Sequence, residues 1–281
     1  MLLLGNQFMS TPEVKIIADS ICPDTCARLT TFEVRYWRPL LPEMNTHRAF
    51  SRNAASSRAQ SFSKRCDLIR IDPTFPSHWN AEQKGMVGGE EFSDDVKTII
   101  NEDIHKLAKA TANYLEELNG KIERITGKSI HKQYLNRYLE PFCSTTQLIS
   151  ATDWDNFFDL RCADDAQPEI KDVADKMKAL LKEHKPHLIP VGEWHLPYIT
   201  IAEQQMFNLE TLRMMSVARC ARVSYKAYDG KYNLEGDIRL YNQLLNNGHF
   251  SPFEHVAKAV SNIRENCANF VGWRQLRKDV E

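Results

Sequence analysis

Apolar and polar residues alternate from Leu29 to Trp37 (LTTFEVRYW), and the stretch is rich in β-branched and aromatic side chains. That pattern predicts a strand, and Val14–Ala18 predicts a shorter one before it. Pro39 and Pro42 break the alternation, and the polar segment Thr46–Arg58 is expected to run into a helix or a loop–helix junction. Asp67–Phe92 is rich in Pro, Gly and aromatic residues without a clear period. It reads as a long loop, and loops of that length are often functional. The period then becomes helical. Ser93 is placed to cap a helix reaching about Leu118, with Val96, Ile99, Ile100, Ile104, Leu107, Ala108, Leu115 and Leu118 as its apolar stripe and Asn119-Gly120 as its stop.

His131–Tyr138 reads as a short helix, and Asp153 as the cap of a turn carrying Trp154, Phe157 and Phe158. Gln167–Glu183 is amphipathic, with Pro168 in its first turn. Leu188–Ile199 reads as extended, Glu203–Val223 as one strong helix, and Asp237–Asn247 as another that ends at Gly248. No composition shift marks a boundary. The pattern predicts one α+β domain over residues 1–281, helix-rich with a small, mainly antiparallel sheet.

Composition narrows the function. The 281 residues are 42% hydrophobic and 26% charged, ordinary for a globular protein. With 36 basic against 37 acidic residues, general nucleic-acid binding is not expected and any phosphate site must be local. Met1–Leu4 has no basic flank and no later stretch suits a bilayer, so a cytoplasmic protein without membrane contact is expected. The seven cysteines are odd in number and scattered, which suggests reduced thiols. Cys22 and Cys26 could share a helical face, but no histidine completes a zinc site and no metal is expected.

Three constellations could carry chemistry. Thr46–Arg58 (THRAFSRNAASSR) holds a histidine, Arg48, Arg52 and Arg58, three serines and an asparagine. Arginine forks suit phosphate, and Ala54–Ser57 is small enough for an anion to approach the backbone. The competing reading is a solvated basic helix face, which acidic partners four residues away would support; there are none. Asn156–Cys162 (NFFDLRC) puts an amide and Arg161 around an aromatic pair. An arginine there could face a pyrimidine carbonyl, or simply pair with Asp159, Asp164 or Glu169. Ala221–Tyr225 (ARVSY) and Gly248–His255 (GHFSPFEH) form the third; the spacing of His249 and His255 matches no zinc pattern.

Together these residues resemble the flavin-dependent thymidylate synthase family. Thr46–Arg58 is similar to its R-H-R-x-x-S-x-N-E-x-S-x-R signature, with matches at His47, Arg48, Ser51, Asn53, Ser56 and Arg58. Asn156–Ile170 is similar to N-x-x-N-L-R-x-x-x-x-A-Q-x-E-I, and the third constellation to A-R-V-S-[FY] and G-H-x-[ST]-P-F-E-H. The signature segments span 29–58, 137–170 and 211–255. In the family's usual order the last two elements come first. The chain therefore looks circularly permuted, its old termini joined near Lys185–Thr211, and Leu29–Trp37 is expected to pair with the segment after His255.

The resemblance implies a homotetramer using FAD, NADPH and methylenetetrahydrofolate to transfer a carbon unit to C5 of a deoxypyrimidine monophosphate, most simply dUMP to dTMP. It implies His47, Arg48, Ser150, Thr152, Asn156, His249 and Ser251 as cofactor-binding residues. Glu43, Ala54, Ser56, Ser57, Arg58 and Arg161 would bind substrate, with Arg161 in the catalytic role beside the pyrimidine. Thr46 replaces the signature's first arginine, a loss that Arg277 or Lys278 could offset. Ala54 replaces its glutamate, and Asp165 a histidine. These changes keep open a 5-hydroxymethyl-dUMP or dCMP product, or a homologue that only binds nucleotide.

Overall fold

The computed structural model describes residues 11–225, 233–263, 265 and 267–281; the Met1–Leu4 reading lies outside the described residues. Strands β1 (Glu13–Ile21) and β2 (Arg28–Trp37) form an antiparallel hairpin with a bulge between Ile16 and Ala18. Cys22 and Cys26 flank its turn, where Cys26 N–H donates to Cys22 O at 2.8 Å, so they share no helix. Helix α1 (Leu41–Met44) follows. The Thr46–Arg58 segment then forms strand β3 (Ser51–Ala54) rather than entering a helix. Its backbone finds an open partner in β4 (Ser144–Ala151), and ladder pairing overrides the segment's local preference.

The five-stranded sheet runs β3-β4-β2-β1-β5, with β5 (His187–Leu188) parallel to β1 and all other pairs antiparallel. Strands β6 (Trp194–His195), β7 (Ala257–Ala259) and β8 (Trp273–Gln275) make a second, antiparallel sheet. The expected pairing of Leu29–Trp37 with the chain after His255 does not occur. Both edges of β2 are already taken by β1 and β4, and β7 pairs with β6 and β8 instead.

The helices are α2 (Phe62–Ile71), α3 (Asp94–Thr126), α4 (Lys132–Tyr138), α5 (Asp155–Arg161), α6 (Pro168–Glu183), α7 (Ile201–Met206), α8 (Leu209–Tyr225), α9 (Leu234–Asn246) and α10 (Arg277–Val280). Helix α2 claims the first residues of the expected 67–92 loop. Helix α3 runs through Asn119-Gly120 and stops at Gly127, whose φ of 71° supplies the left-handed cap. Asn119 does not end the helix; its Oδ1 accepts from Ile130 N–H at 2.8 Å and anchors the chain beyond it. Ser93 sits at the N-cap without a side-chain cap bond. The expected Glu203–Val223 helix is two, because Asn208 Oδ1 accepts from Thr211 N–H at 2.9 Å and starts α8 afresh.

The main core lies between the larger sheet and α5 and α6. Phe32, Val34 and Ile149 from the sheet meet Trp154, Phe157, Phe158 and Met177. Leu29, Ala257 and Trp273 form a second core beneath the smaller sheet. Helix α3 packs on α2 and α4 through Ala108, Ala112 and Leu115. Among the described residues no helix is long and apolar enough to cross a membrane.

Candidate active site

The aromatic core supports the first functional contact. Phe157 stands edge-on to the His47 ring at 4.9 Å, and Phe50 stacks against that ring at 5.6 Å. His47 is thereby buried with its edge toward the end of α5. Arg161 Nε–H donates to His47 Nε2 at 3.0 Å, and Arg161 Nη2 lies 3.4 Å from Thr46 Oγ1. Arg161 therefore pairs with none of Asp159, Asp164 or Glu169; Lys171 lies near Asp164, and Glu169 accepts from Gln167. Burial lowers the His47 pKa, and the charges of Arg161 and Arg52 lower it further. A neutral imidazole with its hydrogen on Nδ1 is the form that can accept from Arg161.

Thr46 Oγ1 also donates to Glu43 O at 2.7 Å, and Glu43 Oε2 is buried without a partner among the described residues. Arg52 is half-buried and reaches back to the Met44 and Asn45 carbonyls, so it braces its own turn. Arg48 is exposed. It borders a hollow of about 390 Å³ with Phe50, Asn269, Gln275, Arg277 and Lys278. Arg277 is held by Glu254 and Glu281, so Arg48 and Lys278 are the hollow's cations outside that clamp. Gln275 is fully buried; its Nε2 donates to Ser51 Oγ and Asn269 Oδ1, each at 2.8 Å, while Oε1 has no partner among the described residues. Asn269 and Gln275 escaped the sequence reading because no motif around them marks chemistry.

The far end of the segment is pinned from behind. Ser57 is buried and donates to Glu140, Asn136 Nδ2 donates to Ser57 O at 2.7 Å, and Arg38 Nη1 donates to Ala55 O at 2.9 Å. Ser57's hydroxyl is thus committed, whereas Arg58 is exposed and Ala54 and Ser56 are half-buried. Ser56 N–H donates to Ser224 O at 3.2 Å, which joins the ARVSY element to the signature segment. Asn136 and Glu140 lie in a stretch that showed only helical period in the sequence.

Ser150 is buried, Thr152 is half-buried, and neither lines the Arg48 hollow. Thr152 Oγ1 accepts from Val271 N–H at 3.0 Å. Ser150 belongs to a buried chain of polar groups. Ser20 Oγ meets His195 Nδ1 at 2.8 Å, His195 Nε2 meets Thr31 Oγ1 at 2.8 Å, Thr31 meets Ser150 Oγ at 2.6 Å, and Ser150 meets His255 Nδ1 at 2.8 Å. Burial pushes both histidines down to about 3, so both are neutral. Each neutral ring carries one N–H, which leaves two consistent hydrogen orderings along the chain. Hydrogens directed toward His255 let Ser20 donate and place the last one on His255 Nε2. In the reverse ordering His195 Nδ1–H donates to Ser20 Oγ, whose own hydrogen then has no acceptor within the chain. His255 Nε2 is buried without a partner among the described residues in either ordering, so the first is preferred only because it also gives the Ser20 hydrogen an acceptor.

Asn156, His249 and Ser251 are exposed, the first at the start of α5 and the others after Gly248, whose φ of 67° turns the chain. The GHFSPFEH turn is fastened by His255 to β4, and its Glu254 borders the Arg48 hollow.

The sequence profile described as thymidylate synthase complementing protein matches residues 29–187, more than half of the chain. No curated protein matches the sequence. Among solved structures, the UMP/dUMP methylase PolB from Streptomyces cacaoi bound with 5-Br UMP is similar at 15% identity and a TM-score of 0.46, covering 61% of this chain and 89% of that one. The flavin-dependent thymidylate synthase ThyX from Helicobacter pylori, complexed with FAD and dUMP, is similar at 20% identity and a TM-score of 0.35, covering 56% and 68%. The profile match over 29–187 takes in the His47–Arg161 contact and both segments that make it, and on that match the chain belongs to the thymidylate synthase complementing protein family.

Proposed function

We propose that the protein transfers a one-carbon unit from methylenetetrahydrofolate to C5 of a deoxypyrimidine monophosphate, most simply converting dUMP to dTMP. The observation that carries this is the Arg161–His47 contact at 3.0 Å, which joins the two segments that resemble the family's nucleotide and flavin elements. Arg161 against a pyrimidine carbonyl stabilises negative charge on the ring, favours its N3-deprotonated form and makes C5 more nucleophilic. Neutral His47 holds the guanidinium by accepting its Nε–H. Glu43 Oε2, buried and unmatched among the described residues, is an acceptor for a substrate N–H or O–H. Ser56 and Arg58, on the loop braced by Asn136 and Arg38, are assigned to the phosphate.

The residues around the Arg48 hollow fit FAD. Arg48 and Lys278 offer charge to a phosphate, and the unmatched Gln275 Oε1 offers an acceptor to a polar ring or ribose edge. When bound, FAD supplies the hydride that completes the methyl group, with NADPH as reductant. Asn156, His249 and Ser251 lie on exposed turns suited to the same cofactor, while Ser150 and Thr152 support it from within.

A circularly permuted order belongs to this reading. The profile match ends at 187, yet Ser224 and His255, beyond it, bond to Ser56 and Ser150. A homotetramer with shared sites is proposed with it. The test is to incubate the protein with FAD, NADPH, methylenetetrahydrofolate and either dUMP or dCMP, and to weigh the product. A mass gain of one methyl group on dUMP supports dTMP synthesis. A hydroxymethyl gain or a dCMP product assigns the departures at Thr46 and Ala54 to product choice. No flavin binding and no product leaves only a nucleotide-binding protein and overturns the proposal.

A further inference from the structure

Helix α3 spans 33 residues, about 50 Å, and among the described residues only one side of it is buried against the rest of the protein. Ala108, Ala112 and Leu115 face α2 and α4. On the opposite side Val96, Ile99, Leu107, Tyr114 and Ile125 are between 37% and 69% exposed. Helical spacing puts these five, with Ala110, Asp103 and Lys121, in a stripe narrower than about a quarter of the circumference. A hollow of about 660 Å³ opens beside Tyr114, walled by Leu118, Ile130, Tyr134 and Tyr138. An apolar stripe of this length on a water-exposed helix marks an interaction surface.

We infer that the stripe pairs antiparallel with α3 of a second copy of this chain. Its chemistry is self-complementary about one point. A two-fold axis at the height of Ala112 sets Asp103 opposite Lys121 of the partner subunit, and the same step sets Ala110 opposite the partner subunit's Tyr114. Ile99 then meets the partner subunit's Ile125. A small residue faces a large one, an acid faces a base, and two-fold symmetry repeats each match. The partner subunit's Leu107 comes beside Leu118, at the edge of the hollow. The acids Asp94, Asp95 and Glu102 also lie toward the end that meets the partner's Arg124 and Lys128. First-turn acids suit the helix dipole as well, so the choice of a second copy rests on Asp103 and Lys121, which lie on the stripe away from the ends; Asp103 already holds Lys106 of its own helix at 2.7 Å, an exposed pair that leaves its second oxygen for Lys121 of the partner subunit. The pairing does not depend on what the active site turns over.

Light scattering after size exclusion, with sedimentation over a dilution series, tests it. Leu107→Glu with Tyr114→Glu halves the assembly mass while far-ultraviolet circular dichroism stays unchanged. Asp103→Lys and Lys121→Asp each weaken association about tenfold, because each sets like charges together twice per dimer, and the double variant restores it. A wild type that stays monomeric at every concentration overturns the pairing. So does an unchanged mass in the Leu107/Tyr114 variant, or a double charge variant as weak as the single ones.

Discussion

Two polar regions of this molecule behave in opposite ways. The chain from Ser20 through His195, Thr31 and Ser150 to His255 is at most 5% exposed at any member, and its side chains bond to one another in series, with His255 Nε2 left over at the end among the described residues. Arg161, by contrast, is held through His47 by the aromatic floor of Phe50 and Phe157 but is not consumed by it. Arg161 spends Nε and one Nη on His47 and Thr46 and makes no ion pair among the described residues. Buried polar groups that close on themselves fix a structure, since each missing partner is costly. Polar groups positioned with bonding capacity left over are available to a ligand. The comparison assigns Ser150 to the first class, although the family resemblance puts it near the flavin.

Breaking the floor gives the largest effect on stability. Phe157→Ala removes the ring under His47 and a member of the main core, and we expect a loss of about 3–5 kcal/mol, read by urea unfolding, together with loss of turnover. Thr31→Val cuts the buried chain in its middle and strands His195 Nε2 and Ser150 Oγ. The expected cost is about 2–4 kcal/mol, most of it recovered in Thr31→Ser. In the wild type, nitrogen-15 spectra of His255 should show a single Nε2–H tautomer; Thr31→Val should mix the two. A wild-type Nδ1–H signal would contradict the hydrogen ordering.

Acid should act on the same chain. His195 and His255 are held near 3 when folded against an ordinary 6.5. Between those values the unfolded chain takes up protons that the folded protein refuses. Stability therefore falls as pH drops from 6.5 toward 3 and is fully present above 6.5; a flat profile from these two sites would mean that burial is not what holds them neutral. The active edge should respond in parallel, because a protonated His47 cannot accept from Arg161, so turnover should decline on the acid side. Arg48→Ala marks the small end of the stability series. Its side chain is exposed, so stability should shift by less than about 0.5 kcal/mol, while FAD binding weakens about 10–100-fold.

The larger elements were legible because burial imposes period. Leu29–Trp37 alternates since β2 is buried on both edges and one face, and Gln167–Glu183 is amphipathic since α6 covers the sheet. Thr46–Arg58 was read as running into a helix or a loop–helix junction, and its strand was missed because it exists only through pairing with β4, more than ninety residues further along the sequence. Asn119-Gly120 misled as a stop because the Asn119 amide holds Ile130 N–H instead of ending the helix, which runs on to the left-handed cap at Gly127. The candidate site was legible where side-chain chemistry clusters, as in the two segments that bring His47 and Arg161 together. It was illegible at Asn136, Asn269 and Gln275, single amides whose importance comes from what folding places beside them. The pairing of Leu29–Trp37 failed for a related reason, since sequence order says nothing of which sheet edge is already occupied.

The central claim is that Arg161 is held by the fold for chemistry rather than for stability. Turnover of dUMP, bound FAD and unfolding free energy should be measured side by side in Arg161→Ala. The account predicts that turnover falls about 10²–10³-fold, that FAD stays bound, and that stability changes by less than about 1 kcal/mol. Turnover equal to the wild type, with Arg161 absent, would contradict it.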